Sequence, residues 1–230
     1  MDNNYQVLGR NTEVISDSKN KVLRNTYALL GLTMIPTVIG AFIGLAIDFS
    51  FVAPHPFLFV LGMFAVMFGL ILGIQANRNS SLGILLLLTL TFVMGVLLGP
   101  ILQIALHLRN GAQLIGMAAG GTGIIFLTLA GIATTTKKDF SFLGNFLFVG
   151  LILLIVASIA NVFFAIPAFQ LAISVIGILI FSGYILYDVS RIVTGGETNY
   201  VIATLNIYLD IYNLFVRLLE FLMIVFGNRD

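Results

Sequence analysis

Residues 206–222 read NIYLDIYNLFVRLLEFL, and this stretch decides the fold. It lies inside a long apolar run, yet it carries Asn206, Asp210, Asn213, Arg217 and Glu220. The steps between them are 4, 3, 4 and 3 residues. At about 100° per residue these side chains share one face of a helix. At about 1.5 Å per residue the stripe runs roughly 21 Å, most of the thickness of a bilayer core. The other faces carry Ile207, Leu209, Ile211, Leu214, Phe215, Leu218 and Leu219. A charge at mid-bilayer costs at least about 2.5–3.5 kcal/mol on insertion scales, and three ionisable residues stand in this stripe. The helix is therefore expected inside a bundle, its polar face on a cavity or on polar partners.

The rest of the chain supplies such a bundle. Of 230 residues, 59% are hydrophobic and 9% charged, with a mean hydropathy of +1.08. Soluble domains carry about 45–50% apolar and about 25% charged residues. One core cannot hide so much apolar surface, and a greasy, low-charge chain is not disordered. The net charge of +1 gives no case for nucleic-acid binding. The absence of Cys excludes disulfides, Cys-zinc sites and a thiolate nucleophile. Seven runs reach spanning length: Tyr27–Ile47, Phe57–Ala76, Leu82–Leu106, Gln113–Ala133, Leu143–Ala165, Ala168–Ser190 and Val201–Phe226. They are continuous rather than alternating, which favours helices over a barrel. The expected architecture is an all-α integral membrane protein of seven transmembrane helices. A polar cytoplasmic tail (1–26), unlike a cleavable signal peptide, precedes a single seven-helix domain (27–230). Pro100 is expected to kink or end the third span, and Pro36 to kink the first.

Basic residues set the expected orientation. Arg10, Lys19, Lys21, Arg24, Arg78, Lys137, Lys138 and Arg191 fall on the side of the N-terminus, while only Arg109 and Arg229 fall on the other. This is a positive-inside bias, with a cytoplasmic N-terminus and a C-terminus across the membrane.

The second deeply placed acid is Asp188, near the end of the sixth span. Spans six and seven form an antiparallel hairpin, so Asp188 and Asp210 belong to the same half of the bilayer and can meet. Two close, poorly solvated carboxyls cannot both ionise easily and titrate as a unit. Ionised, they offer hard oxygen ligands to a cation such as calcium. Asn206, Asn213 and the Arg217–Glu220 pair fit helix–helix glue equally well, and Asp188 alone fits a helix-end acid. Gly40, Gly44, Gly69, Gly73 and the span-four glycines Gly116, Gly120, Gly121 and Gly123 are expected to serve close helix packing. No His or Lys lies within a span, so a serine hydrolase lacks its base and a retinal Schiff base lacks its lysine. No enzyme is expected.

FSGYILYDVSRI at Phe181–Ile192, NIYLDIYNLFVRLLEFL at Asn206–Leu222 and KKDFSFLG at Lys137–Gly144 resemble the Bax inhibitor-1 (TMBIM) family of membrane proteins. KVLRNTYALL at Lys21–Leu30 and GGETNYVIATL at Gly195–Leu205 resemble its bacterial YccA branch. The resemblance implies six helices surrounding a central seventh in a bacterial inner membrane. In calcium-leak members two aspartates on helices six and seven sense pH, and they fall on Asp188 and Asp210. A basic cluster at the cytoplasmic end of helix two is reduced here to Arg78, the candidate gate partner. Asn206, Asn213, Arg217 and Glu220 would line the polar path. The expectation is a pH-sensitive calcium leak, with Ca2+ as transported ion and no resident cofactor. The alternative is a non-transporting modulator or substrate of the membrane AAA protease FtsH, gripped by the N-terminal tail.

Overall fold

The computed structural model describes the backbone of residues 3–52 and 54–227, and side chains from Asn20 onward except those of Phe51, Ala53 and Pro56. Most side chains of the tail, including Arg10 and Lys19, lie outside the described residues, as does Arg229. The helices are α1 (Asn3–Ala46), α2 (Pro56–Ala76), α3 (Ser81–Leu97), α4 (Gly99–Leu106), α5 (Gly111–Thr136), α6 (Leu143–Phe164), α7 (Pro167–Thr194) and α8 (Tyr200–Phe226). Helices α3 and α4 form one span, so there are seven spans, six of them apolar and long enough to cross a membrane on length and composition alone. The seventh is α8. Helix α1 has no break at residue 26 and passes through Pro36 without ending.

Proline and small residues punctuate the spans. Pro100 lies in the first turn of α4 and has no N–H to give the preceding turn, so the third span divides there. Leu98 keeps helical dihedrals, and Leu102 N–H donates to its carbonyl at 3.0 Å, so the two pieces continue as one rod. Between α6 and α7, Ala165 takes a left-handed conformation (φ 50°) before Pro167 opens the next helix. The Asn161 side chain closes this turn, accepting from Ile166 N–H and donating to Gln170 Oε1 at 2.7 Å.

Helix α8 is the axis. From Val201 to Met223 no residue is exposed. It packs chiefly on α7, α5 and α1 and touches α3 and α2, whereas α6 leans on α7. Asn199 caps its start, accepting from Val201 and Ile202 N–H while its Nδ2 donates to Arg78 O and Asn79 Oδ1. Asn110 Nδ2 donates to Phe226 O at the opposite end. These bonds tie loops that the alternating topology places on the same side.

A glycine seam joins α1 to the third span. A Cβ on Gly40 would collide with Phe92 O, on Gly44 with Val96 O, on Gly95 with Thr37 O and on Gly99 with Gly44 O. Backbone meets backbone here, as small residues permit in membranes. The sequence reading found Gly40 and Gly44 but not their partners Gly95 and Gly99. Contrary to expectation, Gly69, Gly116, Gly120 and Gly123 serve no close helix packing, since an added Cβ would meet nothing within 4 Å. Gly73 and Gly121 face only leucine methyls, of Leu86 and Leu218. Accordingly Gly95→Leu should lower stability by about 1–3 kcal/mol through overpacking, whereas Gly116→Ala should be neutral or better. Thermal unfolding of the detergent-solubilised protein checks both.

Candidate functional site

The polar face of α8 looks into a cavity of about 1030 Å³ walled by α2, α6, α7 and α8. Four of the five stripe residues line it: Asn206, Asp210, Asn213 and Arg217. Asp188 and Arg191 of α7 join them, while α2 and α6 contribute no ionisable group to its lining. Among the described residues α2 and α6 make no substantial contact, so the cavity is a cleft with an apolar mouth.

Asp188 and Asp210 meet. Both are buried, 9% and 7% exposed, and their carboxyls lie within hydrogen-bonding reach. Asp210 Oδ2 is buried and takes no donor from any described residue. The Tyr184 phenol stands near both acids, and Arg191 and Glu197 act electrostatically on Asp188. Val189 and Ile192 of α7 with Val201 and Leu205 of α8, all essentially inaccessible, lie between the pair and the α7–α8 turn. Among the described residues no three His, Asp or Glu side chains gather into a metal cage.

Arg78 is not at this pair: its side chain is exposed and its carbonyl is taken by Asn199. The arginine that faces Asp188 is Arg191, one helical turn away. Its guanidinium lies 5.6 Å from the Tyr187 ring centroid and donates to Gly196 O at 3.3 Å. The α5–α6 loop and the first turn of α6 abut this part of α7. Phe140 N–H donates to Ser190 Oγ, and a Cβ on Gly144 would press the Tyr187 ring at 3.0 Å. In the same loop the Ser141 hydroxyl and N–H hold the exposed Asp139 carboxyl below its usual pKa.

The far end of the stripe is a polar clasp. Arg217 Nη1 donates to Glu220 Oε2 at 2.9 Å, and Ser174 Oγ of α7 donates to the same oxygen at 3.1 Å. Arg217 Nη2 reaches Ser158 Oγ of α6 at 3.4 Å. Gly177 makes room for the arginine stem, since a Cβ there would stand 2.9 Å from its Cγ. Glu220 lies outside the cavity lining and serves this clasp. Asn213 Nδ2 returns to Leu209 O within its own helix. The sequence reading missed Ser158, Ser174, Tyr184 and Arg191. Arg191 and Tyr184 carried a local signal, three residues after and four before Asp188 on the same helical face.

The reverse face of α8 is built differently. Tyr208 OH bonds Thr37 Oγ1 at 2.9 Å and donates to Thr91 O, and Tyr212 OH donates to Met94 O at 3.1 Å. Beyond them a second cleft of about 1060 Å³, almost wholly apolar, opens between α1 and α5.

Comparison with known proteins gives the lineage. The family model described as inhibitor of apoptosis-promoting Bax1 matches residues 19–227. The chain belongs to the Bax inhibitor-1 family. Its relatives include an uncharacterised membrane protein of Vibrio cholerae, 44% identical over 209 residues (91% of this chain, 92% of the relative). An uncharacterised protein of Neisseria meningitidis is 41% identical over 216 residues, covering 92% and 94%. The Escherichia coli K12 relative named modulator of FtsH protease YccA is 40% identical over 213 residues, 93% of each chain. A second Escherichia coli relative is named an inner membrane protein. The Bax inhibitor-1 assignment agrees with the resemblance of the loop and last helix, and with a multi-span membrane protein.

The clasp carries a test of its own. Glu220→Leu leaves the Arg217 guanidinium without its carboxylate and should destabilise by about 1–3 kcal/mol. Arg217→Met combined with Glu220→Leu should recover most of that loss. Thermal unfolding in detergent compares the two, and a double variant as unstable as the single would contradict the account.

Proposed function

We propose that the protein is a proton-sensitive cation pathway of a bacterial inner membrane, with Asp188 and Asp210 as its sensing and coordinating pair and Ca2+ as the transported ion. The observation that carries this reading is the contact between two buried carboxyls at the wall of a cavity. A proton held between them satisfies both in a low dielectric. Without it they repel, and a cation restores neutrality. Calcium takes about six to eight oxygen ligands. Two carboxylates and the nearby Tyr184 phenol leave most of that shell to water, which suits passage rather than tight storage. Arg78 has no part in this reading, and no catalytic step is proposed. The orientation that fits it has the N-terminus in the cytoplasm and the C-terminus in the periplasm.

Protons and Ca2+ compete for the same oxygens, so Ca2+ occupancy of the pair should rise with pH. In proteoliposomes, calcium flux measured across about pH 5–8 should depend on pH. Both Asp188→Asn and Asp210→Asn should abolish that dependence. Flux that is identical in the wild type and in Asp210→Asn at every pH would end the proposal.

A second reading is favoured by the relative named as an FtsH modulator. Here the chain acts on, or is held by, a membrane-bound AAA protease through its N-terminal segment. Deleting residues 1–20 should lengthen the protein's lifetime in cells that contain the protease and leave flux unchanged. Pulse-chase turnover measures this, and an unaltered lifetime contradicts it.

A further inference from the structure

We infer that the α2–α6 cleft binds lipophilic organic cations, which enter from the hydrocarbon of the bilayer and place their charged centre at the Asp188–Asp210 carboxyls. This deepens the reading of the pair as cation-facing and rests on it. The first observation is size. A metal ion with its oxygen shell needs a small fraction of about 1030 Å³, whereas drug-sized ligands occupy pockets of about 300–1,000 Å³.

The second is the wall. Phe57, Phe64 and Phe163 stand at the mouth, 76%, 64% and 81% exposed, where hydrocarbon would meet them. Phe181 and Tyr184 continue the aromatic lining inward toward the acids. Ring faces attract cations, and Arg191 over Tyr187 is a case within this same wall.

The third is charge. The ionisable groups facing the pair are Tyr184, Arg191 and Glu197 from the α7 end, and Arg217 on α8, further along the cavity, is neutralised by Glu220. Helices α2 and α6 bring no ionisable group to the lining. Asp188 and Asp210 both line the cleft, so negative charge left on the pair faces its interior. An alkyl or aryl ammonium or phosphonium fits this combination, while an anion of the same shape does not.

The test uses the full chain in lipid nanodiscs, with radiolabelled tetraphenylphosphonium as probe and tetraphenylborate as the anion of matching shape. Saturable phosphonium binding above that of empty nanodiscs is expected, and radiolabelled tetraphenylborate, measured in separate samples, is expected to show none. Asp210→Asn should weaken it about tenfold or more, equivalent to about 1.4 kcal/mol. Phe64→Ala, which keeps every charge, should weaken it several-fold. Thermal unfolding confirms that each variant is folded. Binding no greater than in empty nanodiscs overturns the inference, as does equal affinity in the wild type and a folded Asp210→Asn, or equal binding of the borate. If phosphonium fails to bind while calcium flux still depends on Asp210, the cleft inference falls and the ion pathway stands. If phosphonium binds through Asp210 while no calcium crosses, the pathway falls and the cleft inference stands.

Discussion

A helix carrying Asp210, Arg217 and Glu220 cannot be solvated by hydrocarbon, and the arrangement of the other helices answers that constraint. Charged groups at mid-bilayer persist where protein or water surrounds them. Helices α7, α5 and α1 therefore close on α8, with α3 and α2 touching it more lightly. The carboxyl of Asp210 meets that of Asp188, and the Arg217–Glu220 pair reaches serines on α6 and α7. The three ionisable groups of the stripe are thus met by other side chains, whereas Asn213 bonds back to its own helix.

The two long faces of α8 then divide the molecule. On one, tyrosine hydroxyls of α8 reach Thr37 on α1 and backbone carbonyls on α3, and the glycine seam presses α1 against α3 and α4. Backbone-to-backbone packing leaves little freedom there, since protein interiors resist small changes of volume. On the other face the neighbours are side chains of α6 and α7, and α6 is joined to α8 by one described hydrogen bond, Arg217 to Ser158. The cleft that holds the acids lies on this looser side, away from the seam.

Much of this was readable in the residues, for definable reasons. The 4, 3, 4, 3 spacing from Asn206 to Glu220 placed the stripe on one face, and burial cost put that helix inside. The hairpin of the last two spans put Asp188 and Asp210 in one half of the bilayer. Hydropathy reports only that a helix enters lipid and is silent on which helices pack together. The unpacked pair α2 and α6, which opens the cleft, was therefore invisible. For the same reason the glycines of α5 read as packing residues although Gly116, Gly120 and Gly123 meet nothing. Arg78 was the candidate gate partner through the family resemblance alone, and its exposed side chain and the bond from Asn199 to its carbonyl keep it at the surface. Pro100 was legible as an interruption. That the span continues beyond it depends on Leu98 keeping helical dihedrals, which composition does not reveal.

The standing of α8 outside the six self-sufficient spans bears on biogenesis. A segment with three ionisable side chains partitions poorly into lipid by itself. It is also the last described span of the chain, so the helices that shelter it are made before it. Its stable entry requires those helices to be present, with α7 at hand to receive Asp210 and Ser174 to receive Glu220. Membrane integration of α8 is thus a test of assembly: a chain whose earlier helices have not come together has nowhere to put it.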